Sequence, residues 1–190
     1  MSALRDWLRS QPSLTGTPPA LDTERLPASP VTLFEEWIHQ AAAAGVAEPH
    51  AATLATVDSD GVPDARTLIV KNVDDRGWAF ASTRSSAKGG QLAVHPVAAL
   101  AFWWQPVMRA VRVRGSVHAA SADDTAADLA ARSEAARRDV ADGDWALWRI
   151  EATRVEFWQG SIDRRHTRVV YEREGGPFAA PSYRIDRMRA

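Results

Sequence analysis

The chain contains no cysteine. Disulfides, thiolate nucleophiles and cysteine-held zinc or iron–sulfur centres are thereby excluded, and a reducing compartment is a natural setting. Lysine is almost missing too: of 23 basic residues only Lys71 and Lys88 are lysines. No stretch approaches the ~18 uninterrupted apolar residues of a membrane helix. The opening MSALRDWLRS mixes charge with apolar residues where a signal peptide would not. The expectation is a cytoplasmic protein that neither spans nor binds a membrane. A net charge of −1 over 190 residues gives no bulk attraction to nucleic acid. The five histidines are scattered without an i, i+4 pair, so no metal site is expected. Phosphate-loop, dinucleotide-fold and serine-elbow motifs are also lacking.

What is present reads as mainly β with helices. Residues 3 to 9 start helical, and five prolines between 12 and 30 mark an irregular arm. The division expected is therefore an arm over 1–30 and one domain over 31–190. SPVTLFEEWIHQAAAAGV reads as a helix, with Ser29 as N-cap, Pro30 in the first turn, Gly45 as stop and Leu33, Trp37, Ile38 and Ala41 as the buried stripe. From residue 51 the apolar period becomes two. AATLATVD and DARTLIVKNV flank a turn, WAFAS follows, and SAKGGQLAVH makes a short helix before VAALAFWW. RAVRVRGSVHA alternates valine against arginine, and Ser121 with Asp124 opens one helix running to Arg138. WRIEATRVEFW, TRVVYERE and SYRIDR supply the last strands. Closure of so many antiparallel strands into a small barrel removes their exposed edges.

Two groups of residues carry chemistry. Arg66 and Lys88, with the hydroxyls of Ser82, Thr83, Ser85 and Ser86 ahead of a helix, match what a phosphate monoester needs in charge and donors. The same residue types also make an ordinary polar loop. In FWQGSIDRRHTRVVYE, Trp158 offers a flat plate, and Arg164, His166 and Arg168 alternate so that an extended strand puts them on one face. A planar anion suits that row, and so does a solvated hairpin; spacing leaves both open.

EPHAATLATVDSDGVPDARTLIVKNVDDRGWAFASTRSSAKGGQLAVHPVAALAFWW and VEFWQGSIDRRHTRVVYER together resemble the pyridoxamine 5′-phosphate oxidase family, over about residues 31 to 173. The motifs that carry the likeness are R-x-x-x-x-K, S-x-K-G and W-Q-G-x-x-x-R-x-H-x-R. The resemblance implies an FMN-binding split β-barrel and a homodimer with FMN across the interface. It implies that Arg66, Ser82, Ser86 and Lys88 hold the FMN phosphate and that the backbone from Arg66 through Thr67 and Leu68 to Lys71 runs beside the flavin ring. Ala81, Trp158 and Arg168 complete the cofactor set. Lys71, Arg132, Arg164 and His166 face the substrate, with Arg164 and His166 as the catalytic pair. The reaction implied is oxidation of pyridoxamine or pyridoxine 5′-phosphate by molecular oxygen, in pyridoxal phosphate biosynthesis.

The chain departs from that pattern at chosen places. Ala87 and Ala110 stand where the family has an FMN-contacting arginine and glutamine. Asp128 replaces a tyrosine, and Ala136 a serine, at the substrate phosphate. Alternatives are an oxidase of another planar heterocycle, as in the related phenazine-pathway enzymes, a non-catalytic flavin or haem binder, and a deazaflavin-dependent reductase. Lys71 and Arg66 are five apart, so a regular strand points them to opposite faces unless a bulge intervenes.

Overall fold

In the computed structural model of the chain, residues 3–173 and 176–187 are described. The outer limits of the expected division, residues 1 and 190, and the last residue of TRVVYERE lie outside the described residues. The helices are α1 (Ala3–Ser10), α2 (Pro30–Ala43), α3 (Ala87–Val94), α4 (Ala122–Ala130) and α5 (Glu134–Arg138). The strands are β1 (Ala51–Val57), β2 (Pro63–Asp74), β3 (Gly77–Thr83), β4 (Val97–Trp104), β5 (Arg109–Ala119), β6 (Trp145–Gln159), β7 (Arg165–Glu172) and β8 (Ser182–Arg187).

The strands are antiparallel in the order β3-β2-β1-β4-β5-β6-β7-β8, and β3 pairs again with β6. The first six therefore close into a barrel. The long strand β6 explains how the sheet also continues outward. Its residues 145–150 pair with β3, and residues 154–159 pair with β7. The barrel splits where β6 leaves one partner for the other, beside a register shift against β5 between Arg114 and Gly115. Gly115 has no room for a side chain there, since a Cβ would lie 1.9 Å from the Glu151 carbonyl oxygen.

Alternation decides which residues fill the interior. Leu54, Leu100, Val113, Val155, Phe157 and Val169 are all fully buried. Helix α2 is capped by the Ser29 hydroxyl, which accepts from the Val31 N–H. It buries Leu33, Phe34, Trp37 and Ala41. Phe34 meets Phe102 edge-on at 5.0 Å and Trp37 meets Phe157 at 5.2 Å, so α2 packs its apolar stripe onto the barrel core.

The segment between α1 and α2 is tied down despite its irregular backbone. Thr17 N–H donates to the Pro106 carbonyl, and the Tyr171 hydroxyl donates to that of Pro27. Arg109 is fully buried against Trp37, its guanidinium 4.0 Å from the ring centroid. It donates to Gln159, Gln40 and the Pro19 carbonyl. Burial presses its pKa down to about 10. Helix α1 buries nothing and leaves Leu4, Trp7 and Leu8 exposed.

Two expectations need correction. The helix from Ser121 to Arg138 is two helices. Ser133 breaks it by serving as a second N-cap, its hydroxyl accepting from Ala136 N–H. Arg164 is not on a strand with His166 and Arg168. It sits in a turn with φ 61°, its N–H donating to the Ser161 carbonyl, and β7 begins only at Arg165.

Candidate functional site

The first group assembles at one end of the barrel. Arg66 and Ser82 fall on the inward face of β2 and β3, in register with buried Leu54 and Ala146. The Ser86 hydroxyl caps α3 by accepting from Gly89 N–H, lies 3.2 Å from the Ser82 hydroxyl, and accepts from Lys88 Nζ at 3.4 Å. Burial, and then the charge of nearby Arg66, hold the Lys88 ammonium below its ordinary 10.5. Two cations that raise each other's cost, beside two hydroxyls and a helix start, make a place that favours an anion.

Arg66 is not idle in this arrangement. It donates to Asp64, to buried Thr56 and, at 3.1 Å, to Gln91. Asp64 sits below its ordinary 3.8, mainly through the Gln91 hydrogen bond, with the charge of Arg66 adding to it. Thr56, Asp64 and Gln91 were not singled out from the sequence. Gln91 had a weak signal, as a polar residue five beyond Ser86 on the same short helix. The loop before α3 is fastened elsewhere: the Ser85 N–H and hydroxyl both donate to Asp144.

The second group lies on the outward face of β6 and β7. Trp158 stands across from Arg168 in register, and its ring is 4.8 Å from that of His166. Trp103, about half exposed, approaches Trp158 from β4 at 6.1 Å. Ala110 is the cross-strand neighbour of Trp158 on β5, so the indole has a small residue beside it. His166 is buried, and its Nδ1 accepts from Ser161 N–H at 3.1 Å. That bond leaves Nε2 to carry the proton of the neutral ring. Arg168 donates to Glu156, a buried carboxylate on the same face that the sequence reading also passed over.

The remaining candidates take separate places. Thr67 is exposed on the outward side of β2, and Leu68 packs against the core. Ala81 pairs with Leu147. Between Val70 and Asn72 the register against β3 shifts, so Lys71 is the extra residue of a bulge. Lys71 lines a cavity of about 300 Å³ with Phe34, Glu35, His50 and Asn72. Arg132 lies with its guanidinium 4.3 Å from the Trp145 ring centroid, and Trp145 Nε1 donates to Asp128 at 2.9 Å.

On a single chain the two groups do not meet. Arg66 and Ser82 face inward, Trp158 and Arg168 outward. From Ala146, the partner of Ser82, β6 runs on to Trp158 over about 40 Å of strand at ~3.3 Å per residue.

Known proteins give this geometry a family. Residues 38–159 match the sequence profile described as pyridoxamine 5′-phosphate oxidase. Residues 145–189 match the pyridoxine 5′-phosphate oxidase C-terminal dimerisation region. The pyridoxine/pyridoxamine 5′-phosphate oxidase of Burkholderia orbicola is 34% identical, over 89% of this chain and 92% of its own. That of Bordetella petrii is 38% identical, over 78% and 85%. Among solved structures, PhzG from Burkholderia lata 383, in complex with tetrahydrophenazine-1-carboxylic acid, superposes with a TM-score of 0.81. It is 25% identical and covers 90% of this chain and 100% of its own. A pyridoxamine 5′-phosphate oxidase-related, FMN-binding protein of Nostoc punctiforme shares the fold, with a TM-score of 0.68 at 17% identity over 89% and 99%. The chain belongs to the pyridoxamine 5′-phosphate oxidase family, as an oxidoreductase of the split-barrel fold.

Proposed function

We propose that the protein is an FMN-dependent oxidase that works as a homodimer. The observation that supports it best is the meeting of Arg66, Lys88, Ser82 and Ser86 at the start of α3. Cations offset the phosphate charge, and hydroxyl and backbone donors fill its oxygens. The fit is good in donor type, and binding phosphate would relieve the repulsion that now weighs on Lys88. Asp64 opposes it, so phosphate must share Arg66 with that carboxylate.

Bound FMN would supply the redox chemistry, as acceptor of hydride from the substrate, with molecular oxygen as the final acceptor. The residues of the chain do the rest. Trp158 gives the ring an apolar plate, and Arg168 a charged edge. His166 Nε2–H would donate to the substrate and hold it in place, while Arg164, on the turn, would add positive charge. Thr67, Leu68 and Ala81 contribute cofactor contacts along β2 and β3. The bulge frees Lys71 from strict alternation, so that it serves both cofactor and substrate. Because one chain separates the phosphate group from the indole group, each cofactor draws on two copies, in keeping with the dimerisation region at residues 145–189.

The substrate on this reading is pyridoxamine or pyridoxine 5′-phosphate. A second reading, a planar substrate without phosphate, is favoured by one observation. Arg132 rests on Trp145, and the acid Asp128 holds that indole, so this corner is a poor phosphate seat. The likeness to a PhzG complex with a tricyclic carboxylic acid agrees with it.

The test is the visible spectrum of purified protein reconstituted with FMN, recorded anaerobically with pyridoxamine 5′-phosphate and again after air. Bleaching that reverses in air is expected. A flavin spectrum that does not bleach transfers the assignment to the second reading, and failure to bind FMN at all refutes the flavin site.

A further inference from the structure

On the outward face of β5, β6 and β7, three guanidinium groups converge on one carboxylate. Glu156 is 4% exposed and stands across from Arg112 on β5 and Val170 on β7. Its Oε1 accepts from both Arg112 and Arg168, and its Oε2 from Arg154 at 3.2 Å. A buried carboxylate is costly unless its lone pairs are filled, and here they are. Burial works against its charge, yet Arg112, with Arg168 and Arg154, outweighs that and holds it below the ordinary 4.5.

The three cations are not equivalent. The Arg112 side chain is 64% exposed and that of Arg154 27%. Arg168 is 20% exposed, donates to Glu156 and stands across from Trp158 in the strand register. We propose that Glu156 is a positioning residue, holding the Arg168 guanidinium beside Trp158 so that the cation is already oriented when the cofactor arrives. This rests on the reading of Trp158 and Arg168 as one wall of the flavin site. A long side chain ordered in advance loses little freedom on binding, and its interaction appears as affinity.

The experiment is titration of FMN into apo-protein, followed by quenching of flavin fluorescence. It compares wild type with E156Q, E156D, R168Q, E156Q/R168Q and R112Q. E156Q is expected to weaken FMN binding by about tenfold to a hundredfold, the loss of one charge-assisted contact. R168Q should do the same, and the double variant should bind no worse than R168Q, because the glutamate acts through the arginine. R112Q, which removes an exposed member of the cluster, should stay within about twofold of wild type. E156D keeps the charge and withdraws the carboxylate by one methylene. It should fall between wild type and E156Q, and it carries the test where E156Q does not fold. Additive losses in the double variant overturn the inference and leave the flavin site standing, as does wild-type binding by both Glu156 variants. Wild-type protein that takes up no FMN removes both.

Discussion

Lysine in this chain is kept at two positions, and the structure gives Lys88 a physical reason. An ammonium beside Arg66 and two serine hydroxyls is a compact charge in a narrow place, where a planar guanidinium fits less well. Replacing it tests the phosphate assignment without touching the ring. Lys88→Met should weaken FMN binding by about tenfold to a hundredfold and leave riboflavin binding, which lacks the phosphate, within about twofold. Parallel titrations by flavin fluorescence read both. Lys88, Arg66 and Trp158 stand out as candidates from residue type and spacing. Asp64, Gln91 and Glu156 do not, because Asp64 and Gln91 bond between β2 and α3, and Glu156 bonds Arg168 between β6 and β7. Such partners become visible only once register is known.

At the level of elements, the strands were easiest to read where burial alternates, as along β1, β4 and the first part of β5. The irregular points were not. A bulge at Lys71 and a left-handed residue at Arg164 reorient two candidate side chains, and neither carries a glycine that would announce it. The break at Ser133 likewise hides in a helical run. At Gly77 a glycine does mark a constraint. Gly77 has φ +112°, and a Cβ there would lie 2.1 Å from the Ile150 carbonyl on β6. Gly77→Ala should cost about 2–4 kcal/mol, through both strain and collision at the seam that closes the barrel. Gly45→Ala, at φ +83° with open space around it, should cost about 1 kcal/mol. Urea midpoints with unchanged slopes would give both values.

For the whole molecule, the decisive question is whether one site is made by one chain or two. Mixing separates the cases. A Lys88→Met chain and an Arg168→Gln chain each carry one damaged half. If each site spans two copies, a mixed dimer holds one intact site and one doubly damaged site. Random reassortment of equal amounts should then restore high-affinity FMN binding in about a quarter of sites. If each chain builds its own site, mixing restores none. Titration before and after reassortment, with mass by light scattering, distinguishes them.

The second pairing of β3 has a consequence for how the protein is made. Chains emerge from their N-terminal end, and β3 is complete by residue 83. Its free edge finds its partner only when residues 145–150 follow. Until then Trp78 and Phe80, both fully buried in the finished barrel, belong to an open sheet with an unpaired border. The late strand β6 thus supplies the border that the first half of the chain lacks on its own. A nascent chain stalled before Trp145 should therefore be more prone to aggregation and proteolysis than one that has completed β6.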